Sequence, residues 1–155
     1  MTRILFVCLG NICRSPLAEG LFLQKLKAVG REGDFVVDSA GTGNYHVGEL
    51  ADERTRRNAE KHGVTLTHRA RQFAAADYDR FDRILVMDHE NLTNVLARAR
   101  TEADKEKVEL MRTYDPEPDS DQVPDPWFGG EEGFEQVFNI LDRRTGQFLK
   151  VLSVE

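Results

Sequence analysis

Apolar and polar positions along the chain alternate between two periodicities. Arg3-Ile4-Leu5-Phe6-Val7 is a short unbroken apolar run of the kind found in strands covered on both faces of a parallel sheet. Phe35-Val36-Val37-Asp38-Ser39 and Arg83-Ile84-Leu85-Val86-Met87-Asp88 repeat it, and Lys107 to Met111 gives a weaker fourth strand. Between these runs the spacing turns helical. Ala18, Leu21, Phe22, Leu26 and Val29 share one face of a helix predicted to open with Ser15 as N-cap and Pro16 as first helical residue, and to stop at Gly30. Gly41-Thr42-Gly43 breaks the chain, a charged helix follows from Asp52 to His62 before Gly63, and another runs from Asn91 to Arg100. Phe134, Val137, Phe138, Leu141, Phe148 and Leu149 mark a strongly periodic C-terminal helix that continues through Gly146.

Strands separated by helices of this length predict a single α/β domain over residues 1–155. Its core would be a four-stranded parallel sheet flanked by helices on both faces with right-handed crossovers, a three-layer α/β/α arrangement of the flavodoxin-like type. Such sheets bind ligands beyond the carboxyl ends of their strands, where the strand order reverses. The loop from Val7 to Ser15 lies at such an end.

Composition narrows the function. Hydrophobic residues make up 40% and charged residues 31%, too apolar for a disordered chain and too polar for a membrane protein. A net charge of −6 supplies no global attraction for nucleic acid or an anionic membrane, so any anion has to be captured locally. Cys8 and Cys13 are the only cysteines and cannot form a disulfide framework. Met1 leads directly into the first strand without a leader pattern, which gives a cytoplasmic expectation. Tyr114 to Glu135 carries eight acidic residues and no basic one, read as a solvated loop except at Asp125; Arg54, Arg56, Arg57 and Lys61 read as the wet face of a helix.

The segment Val7-Cys8-Leu9-Gly10-Asn11-Ile12-Cys13-Arg14-Ser15-Pro16 sets a thiol at a strand end and an arginine six residues later where a helix begins. A loop bent between strand and helix turns its backbone N–H groups inward as an anion nest, and the helix dipole adds positive potential there. Gly10 and Asn11 tolerate the left-handed backbone expected in that bend. Arg14 can grip two oxygens of a tetrahedral oxyanion with its planar fork. The same groups stabilise Cys8 as a thiolate nucleophile, and Ser15 can donate to the sulfur, a role that competes with N-capping for one hydroxyl. A phosphoryl acceptor of this kind gains from an acid that protonates the leaving oxygen. Asp125 is the candidate: Pro124 and Pro126 stiffen its backbone, and Trp127 and Phe128 would exclude water from it, although taken alone an Asp-Pro pair in an acidic loop is usually just a turn. His46, His62, His68 and His89 show no paired ligand spacing, so no metal or other cofactor is expected.

Val7 to Pro16 resembles the phosphate-binding loop of the low-molecular-weight protein tyrosine phosphatases. The resemblance continues through Asp38-Ser39, Tyr45-His46-Val47-Gly48, His62-Gly63, Arg69-Ala70-Arg71-Gln72, Met87-Asp88 and Tyr114-Asp115-Pro116 to Asp125-Pro126-Trp127-Phe128-Gly129. It implies a metal-free phosphomonoesterase that acts on phosphotyrosine proteins through a phosphocysteine, with Asp125 first as acid and then as base, and inorganic phosphate as product. It further implies that His68 and Ser39 hold Asn11, that Leu9 to Ser15 wrap the phosphate, and that Tyr45, Trp127 and Phe128 wall the pocket. Trp127 and Phe128 stand where the family often has two tyrosines, so regulation by phosphorylation there is not expected. Family members that act on phosphoarginine carry Thr at the position of Ile12, so Ile12 favours phosphotyrosine. Cys13 has a redox reading, trapping an oxidised Cys8 as a disulfide, beside a plain packing reading.

Three other readings share parts of this pattern. A thioredoxin-coupled arsenate reductase needs further shuttling cysteines, a sugar-transport phosphocarrier does not need Asp125, and an idle phosphate-binding module would not need Cys8. The expected partners are phosphotyrosine proteins, with no nucleic acid and no membrane, and the chain is expected as a monomer or weak dimer.

Overall fold

The computed structural model describes residues 1–115, 123–126 and 130–154. Four strands, β1 (Thr2–Cys8), β2 (Phe35–Gly41), β3 (Arg83–Val86) and β4 (Val108–Leu110), form one sheet in the order β2-β1-β3-β4. Every pairing is parallel, with Cys8 opposite Gly41 on one side of β1 and Val7 opposite Val86 on the other. The chain leaves β1 for β2 at one edge and later returns to β3 on the other side. The strand order therefore reverses at the carboxyl end of β1, the end from which the Cys8–Arg14 loop emerges.

Strand periodicity divides the core in two. Ile4, Phe6 and Cys8 belong to the apolar layer that contains α1 (Arg14–Ala28) and α6 (Gly130–Val154), whereas Leu5 and Val7 pack with Phe73, Tyr78, Phe81 and Val95 on the opposite face. In the first layer Phe6, Phe22 and Phe148 meet with ring centroids 5.3 to 6.5 Å apart. Burying each such side chain contributes about 1.5–3 kcal/mol, so this triad anchors both helices beneath the loop.

Several local expectations are corrected. The first helix starts at Arg14 with Cys13 at the N-cap and no side-chain cap, so Ser15 does not cap it and Pro16 is its third residue. The reason is a competing partner: the Ser15 hydroxyl lies 3.0 Å from Cys8 Sγ. Asp88 lies beyond β3 and caps α4 (His89–Leu96) by accepting from Asn91 N at 2.7 Å. The helix expected up to Arg100 ends at Leu96, and α5 (Glu102–Glu106) restarts with the Thr101 hydroxyl accepting from Asp104 N at 3.1 Å. The short α3 (Asp77–Arg80) falls where no helix was expected, whereas α2 (Glu53–Lys61) is the charged helix expected from Asp52 to His62, with Asp52 as its N-cap. Asp115 is not a solvated charge: it is buried and paired with Arg144 at 2.8 Å and Arg143 at 3.2 Å.

Candidate active site

The loop after β1 is tied to β2 by backbone bonds from Thr42 N to Cys8 O and Gly43 N to Leu9 O, both 2.9 Å. Gly41 permits this approach, since a Cβ there would lie 2.6 Å from Leu9 O. Asn11 is the one non-glycine residue with positive φ, 58°, among the described residues. Gly10, expected to share that conformation, does not have it; its lack of a side chain instead admits the His46 ring, 3.2 Å from where a Cβ would stand.

Four hydrogen bonds hold Asn11 in place. Its Nδ2 donates to Ser15 Oγ at 2.7 Å and Ser39 Oγ at 3.0 Å, while Oδ1 accepts from Arg71 N at 3.0 Å and meets His68 Nε2 at 2.7 Å. A left-handed non-glycine residue costs about 1–3 kcal/mol, which a buried network of this size offsets. The Ser39 hydroxyl is in turn donated to Glu19 Oε1 at 2.6 Å. Burial, against that hydrogen bond, pushes the Glu19 carboxyl up to about 7.

Cys8 Sγ sits at the floor of this network and accepts from Asn11 N at 3.3 Å. Because the Ser15 oxygen already accepts from Asn11, its own proton is available to the sulfur at 3.0 Å or to Ala40 O at 3.3 Å. Arg14 is buried, yet Nη1 donates to Asp88 Oδ2 at 2.7 Å and to Val123 O at 3.0 Å. Burial works against its charge, but Cys8, Asp88 and Asp125 outweigh that and hold the guanidinium above its ordinary value. Nη2 lies 3.8 Å from Asp125 Oδ2, an exposed carboxylate. Val123 also donates to Met87 O at 2.7 Å, so the backbone two residues before Asp125 is fastened to the end of β3 and to Arg14 together.

These groups line one cavity of about 230 Å³, formed by Cys8, Leu9, Gly10, Ile12, Cys13, Arg14, Tyr45, His46 and Asp125. Tyr45, 72% exposed, stands at its rim, while Ile12 and Cys13 are buried. Burial pushes the Cys13 thiol up to about 12, only partly countered by the neighbouring Thr55 hydroxyl. Trp127 and Phe128 lie outside the described residues. Sequence reasoning gave no role to His46, Asp88 or Glu19. Asp88 and Glu19 contact the loop's machinery only through chain folding, and their sole sequence signals are a carboxylate after a strand and one on the buried side of α1.

A family model described as low molecular weight phosphotyrosine protein phosphatase matches residues 3–155. A low molecular weight protein-tyrosine-phosphatase of Streptomyces coelicolor is 43% identical over 143 residues, covering 90% of this chain and 87% of the relative. Among solved structures, the protein tyrosine phosphatase of Entamoeba histolytica with Hepes in its active site is similar at a TM-score of 0.96 and 35% identity, covering 99% of this chain and 98% of that one. A Drosophila arginine phosphatase is also similar, with a TM-score of 0.90, 30% identity and 98% coverage of both chains.

Proposed function

The chain belongs to the low molecular weight phosphotyrosine protein phosphatase family, and from that premise we propose that it hydrolyses phosphotyrosine in proteins and small aryl phosphates through a phosphocysteine on Cys8. The observation that carries the reading is the convergence of Cys8, Arg14 and Asp125 on one small cavity. Arg14 Nη1 is committed to Asp88 and Val123, which leaves the Nε–Nη2 edge of the fork for two phosphoryl oxygens. Backbone N–H groups of Leu9 to Ser15 and the start of α1 complete the cradle.

Cys8 Sγ attacks phosphorus, the P–O bond to the tyrosyl ring breaks, and Asp125 gives its proton to the departing phenolate oxygen. Asp125, now a carboxylate, takes a proton from a water molecule as the water oxygen attacks phosphorus. The S–P bond breaks, inorganic phosphate leaves, and Cys8 returns to thiolate with Ser15 donating to it. Ile12 at the cavity wall favours an aryl over a phosphoarginine substrate, and Tyr45 offers a flat surface to the ring; Trp127 and Phe128, outside the described residues, are assigned the same task by the family resemblance. His68 and Ser39 act through Asn11. The reading includes no cofactor, no nucleic-acid or membrane partner, and a monomer or weak dimer. Among the described residues no helix is long and apolar enough to cross a membrane, and two free thiols suit the reducing cytoplasm.

The test is hydrolysis of phosphotyrosine, phosphoserine and phosphoarginine peptides, with chelator present, by wild type, Cys8→Ser and Asp125→Ala. Selective phosphotyrosine turnover, abolished by Cys8→Ser and reduced about 10²–10⁴-fold by Asp125→Ala, is expected. Phosphoarginine preference would overturn the inference from Ile12, and no turnover of any peptide would return the carrier and adaptor readings.

A further inference from the structure

Ile12 and His46 line the catalytic cavity and also border a neighbouring groove of about 370 Å³, whose further walls include Glu49, Leu50, Asp52, Glu53, Arg56 and Arg69. We propose that this groove receives the residues beside the phosphotyrosine of a protein substrate, and that Arg56 and Arg69 select substrates with an acidic residue at that place. The proposal rests on the phosphotyrosine reading above and adds to it the class of protein that the site prefers.

The groove is fixed before any substrate arrives. One bank is the chain from His46 to Asp52, and the other is the segment at Arg69. Backbone bonds lace them together: Gly48 N donates to Ala70 O and Ala70 N to Glu49 O, both at 2.8 Å, and Leu50 and Arg69 pair in an antiparallel bridge. Asp52 N donates to Ile12 O at 2.8 Å, so the first bank is also fastened to the loop after β1. A preformed groove lowers the cost of ordering on binding.

Charge in the groove is unevenly matched. Glu49 Oε2 faces His46 Nδ1 at 2.5 Å, and Asp52 binds Arg54 and caps α2, so these two acids have partners. The two arginines have no carboxylate. Arg56 Nε donates to Ala51 O at 2.8 Å and Arg69 Nη1 to Gly48 O at 2.9 Å, and neither makes a further hydrogen bond or ion pair among the described residues. A bond to a carbonyl orients a guanidinium but leaves its charge uncompensated. Only Glu53 stands against the two cations, and the remaining N–H donors of each planar fork match the two oxygens of a carboxylate.

Position agrees with charge. With the phosphoryl group against Cys8 and Arg14 and the ring against Ile12 and Tyr45, the substrate backbone leaves at the rim of the cavity. An extended chain advances about 3.3 Å per residue, so the nearest neighbours of the phosphotyrosine reach the groove that begins at Ile12 and His46. Leu50 is exposed there and offers apolar surface to the stem of an acidic side chain. The chain as a whole carries −6, which repels an acidic peptide at a distance, but at physiological salt that repulsion is screened beyond about 8 Å. Preference is then decided by the contacts in the groove.

The test is steady-state kinetics on phosphotyrosine peptides that differ only in carrying Glu, Gln or Lys beside the phosphotyrosine, first on its N-terminal and then on its C-terminal side. On one side Glu should raise kcat/KM about three- to tenfold over Gln, through KM with kcat unchanged, because the contact is the same in the ground and transition states. That ratio should shrink in Arg56→Gln and in Arg69→Gln, reach about one in the double variant, and shrink in wild type as salt is raised. Arg69→Glu should move the preference toward Lys. A ratio of one in wild type overturns the proposal and leaves phosphotyrosine hydrolysis standing. A ratio undiminished in both single variants also overturns it, and would assign acidic recognition to another surface. No turnover of any peptide overturns the phosphotyrosine reading and the groove with it. Arg69 is exposed, so Arg69→Gln and Arg69→Glu decide should Arg56→Gln fail to fold.

Discussion

Arg14 and Asp88 meet at 2.7 Å across 74 residues of sequence, and the same Asp88 caps α4 through Asn91 N. One oxygen of Asp88 thus orients the guanidinium while the other holds a helix, so the side chain proposed to grip phosphate is braced by secondary structure on the far side of β1. The charge-assisted bond fixes which edge of Arg14 is free to face the cavity.

Removing that brace should cost catalysis more than stability. Asp88→Asn keeps one acceptor oxygen, for the cap or for Arg14 but not for both, loses the ionic component, and should lower kcat/KM for a phosphotyrosine peptide about tenfold. Asp88→Ala frees the guanidinium and should lower it on the order of 10²-fold, the usual effect of a misplaced clamp. Steady-state kinetics together with the inhibition constant of inorganic phosphate check both. If Asp88→Ala leaves kcat/KM and phosphate inhibition unchanged, Asp88 is a helix cap and nothing more.

Asn11 offers a separation of backbone from side chain. Asn11→Ala must carry φ 58° without the four bonds of the native side chain, whereas Asn11→Gly loses the bonds but not the backbone freedom. Asn11→Ala should therefore be the less stable of the two by about 1–2 kcal/mol in urea unfolding. Both should lose kcat, because Ser15 and the loop are no longer held against Cys8. Full activity in Asn11→Gly would mean that only the backbone conformation matters.

Much of this site is legible in the sequence because its chemistry is local. A thiol, an arginine and a serine within eight residues at a strand-to-helix junction declare themselves by spacing, and the alternation of strand and helix patterns fixes the parallel sheet around them. What is missed depends on distant register. Asp88 reaches Arg14 only because β1 and β3 are adjacent, and Glu19 and Ser39 come from two segments with no common spacing. The N-cap at Ser15 fails for a related reason, since the serine hydroxyl finds a sulfur and an amide nearer than the helix N–H groups. The restart at Thr101 was readable, because Thr101 followed by Asp104 is a capping pattern, but the Asn91–Arg100 periodicity masked it.

Asp115 should prove a stability residue rather than part of an acidic loop. Its side chain and that of Arg144 are both fully buried and 2.8 Å apart. Breaking such a pair leaves an uncompensated buried charge, at about 3–5 kcal/mol, so Asp115→Asn should lower Tm by about 6–20 °C. Calorimetry measures this directly. Replacing both partners with apolar residues of similar volume should recover most of the loss; a double variant as unstable as the single one would show that the pair is not the source.

Cys13 behaves in opposite ways as a packed thiol and as a redox partner. Its thiol is pushed up to about 12 by burial, from 9.0, so the fold favours the protonated form. Its stabilising contribution is complete below pH 9 and is lost as pH rises from 9 to 12. Near pH 7 only about one Cys13 in 10⁵ is thiolate, which makes it a slow nucleophile. Iodoacetamide at pH 7 to 9 should therefore alkylate Cys13 only after unfolding. If peroxide converts Cys8 to a sulfenic acid, attack by Cys13 Sγ forms a disulfide and releases water, at a rate that rises about tenfold per pH unit over this range. Dithiothreitol should then restore activity to oxidised wild type, increasingly so when oxidation is carried out at higher pH, and should fail to restore Cys13→Ser, in which a second peroxide oxidises the untrapped Cys8 sulfenic acid to a sulfinic acid that dithiothreitol does not reduce. Equal recovery of the two proteins at every pH would leave Cys13 as a packing residue beside Ile12 and Phe134, the cluster it occupies in the fold.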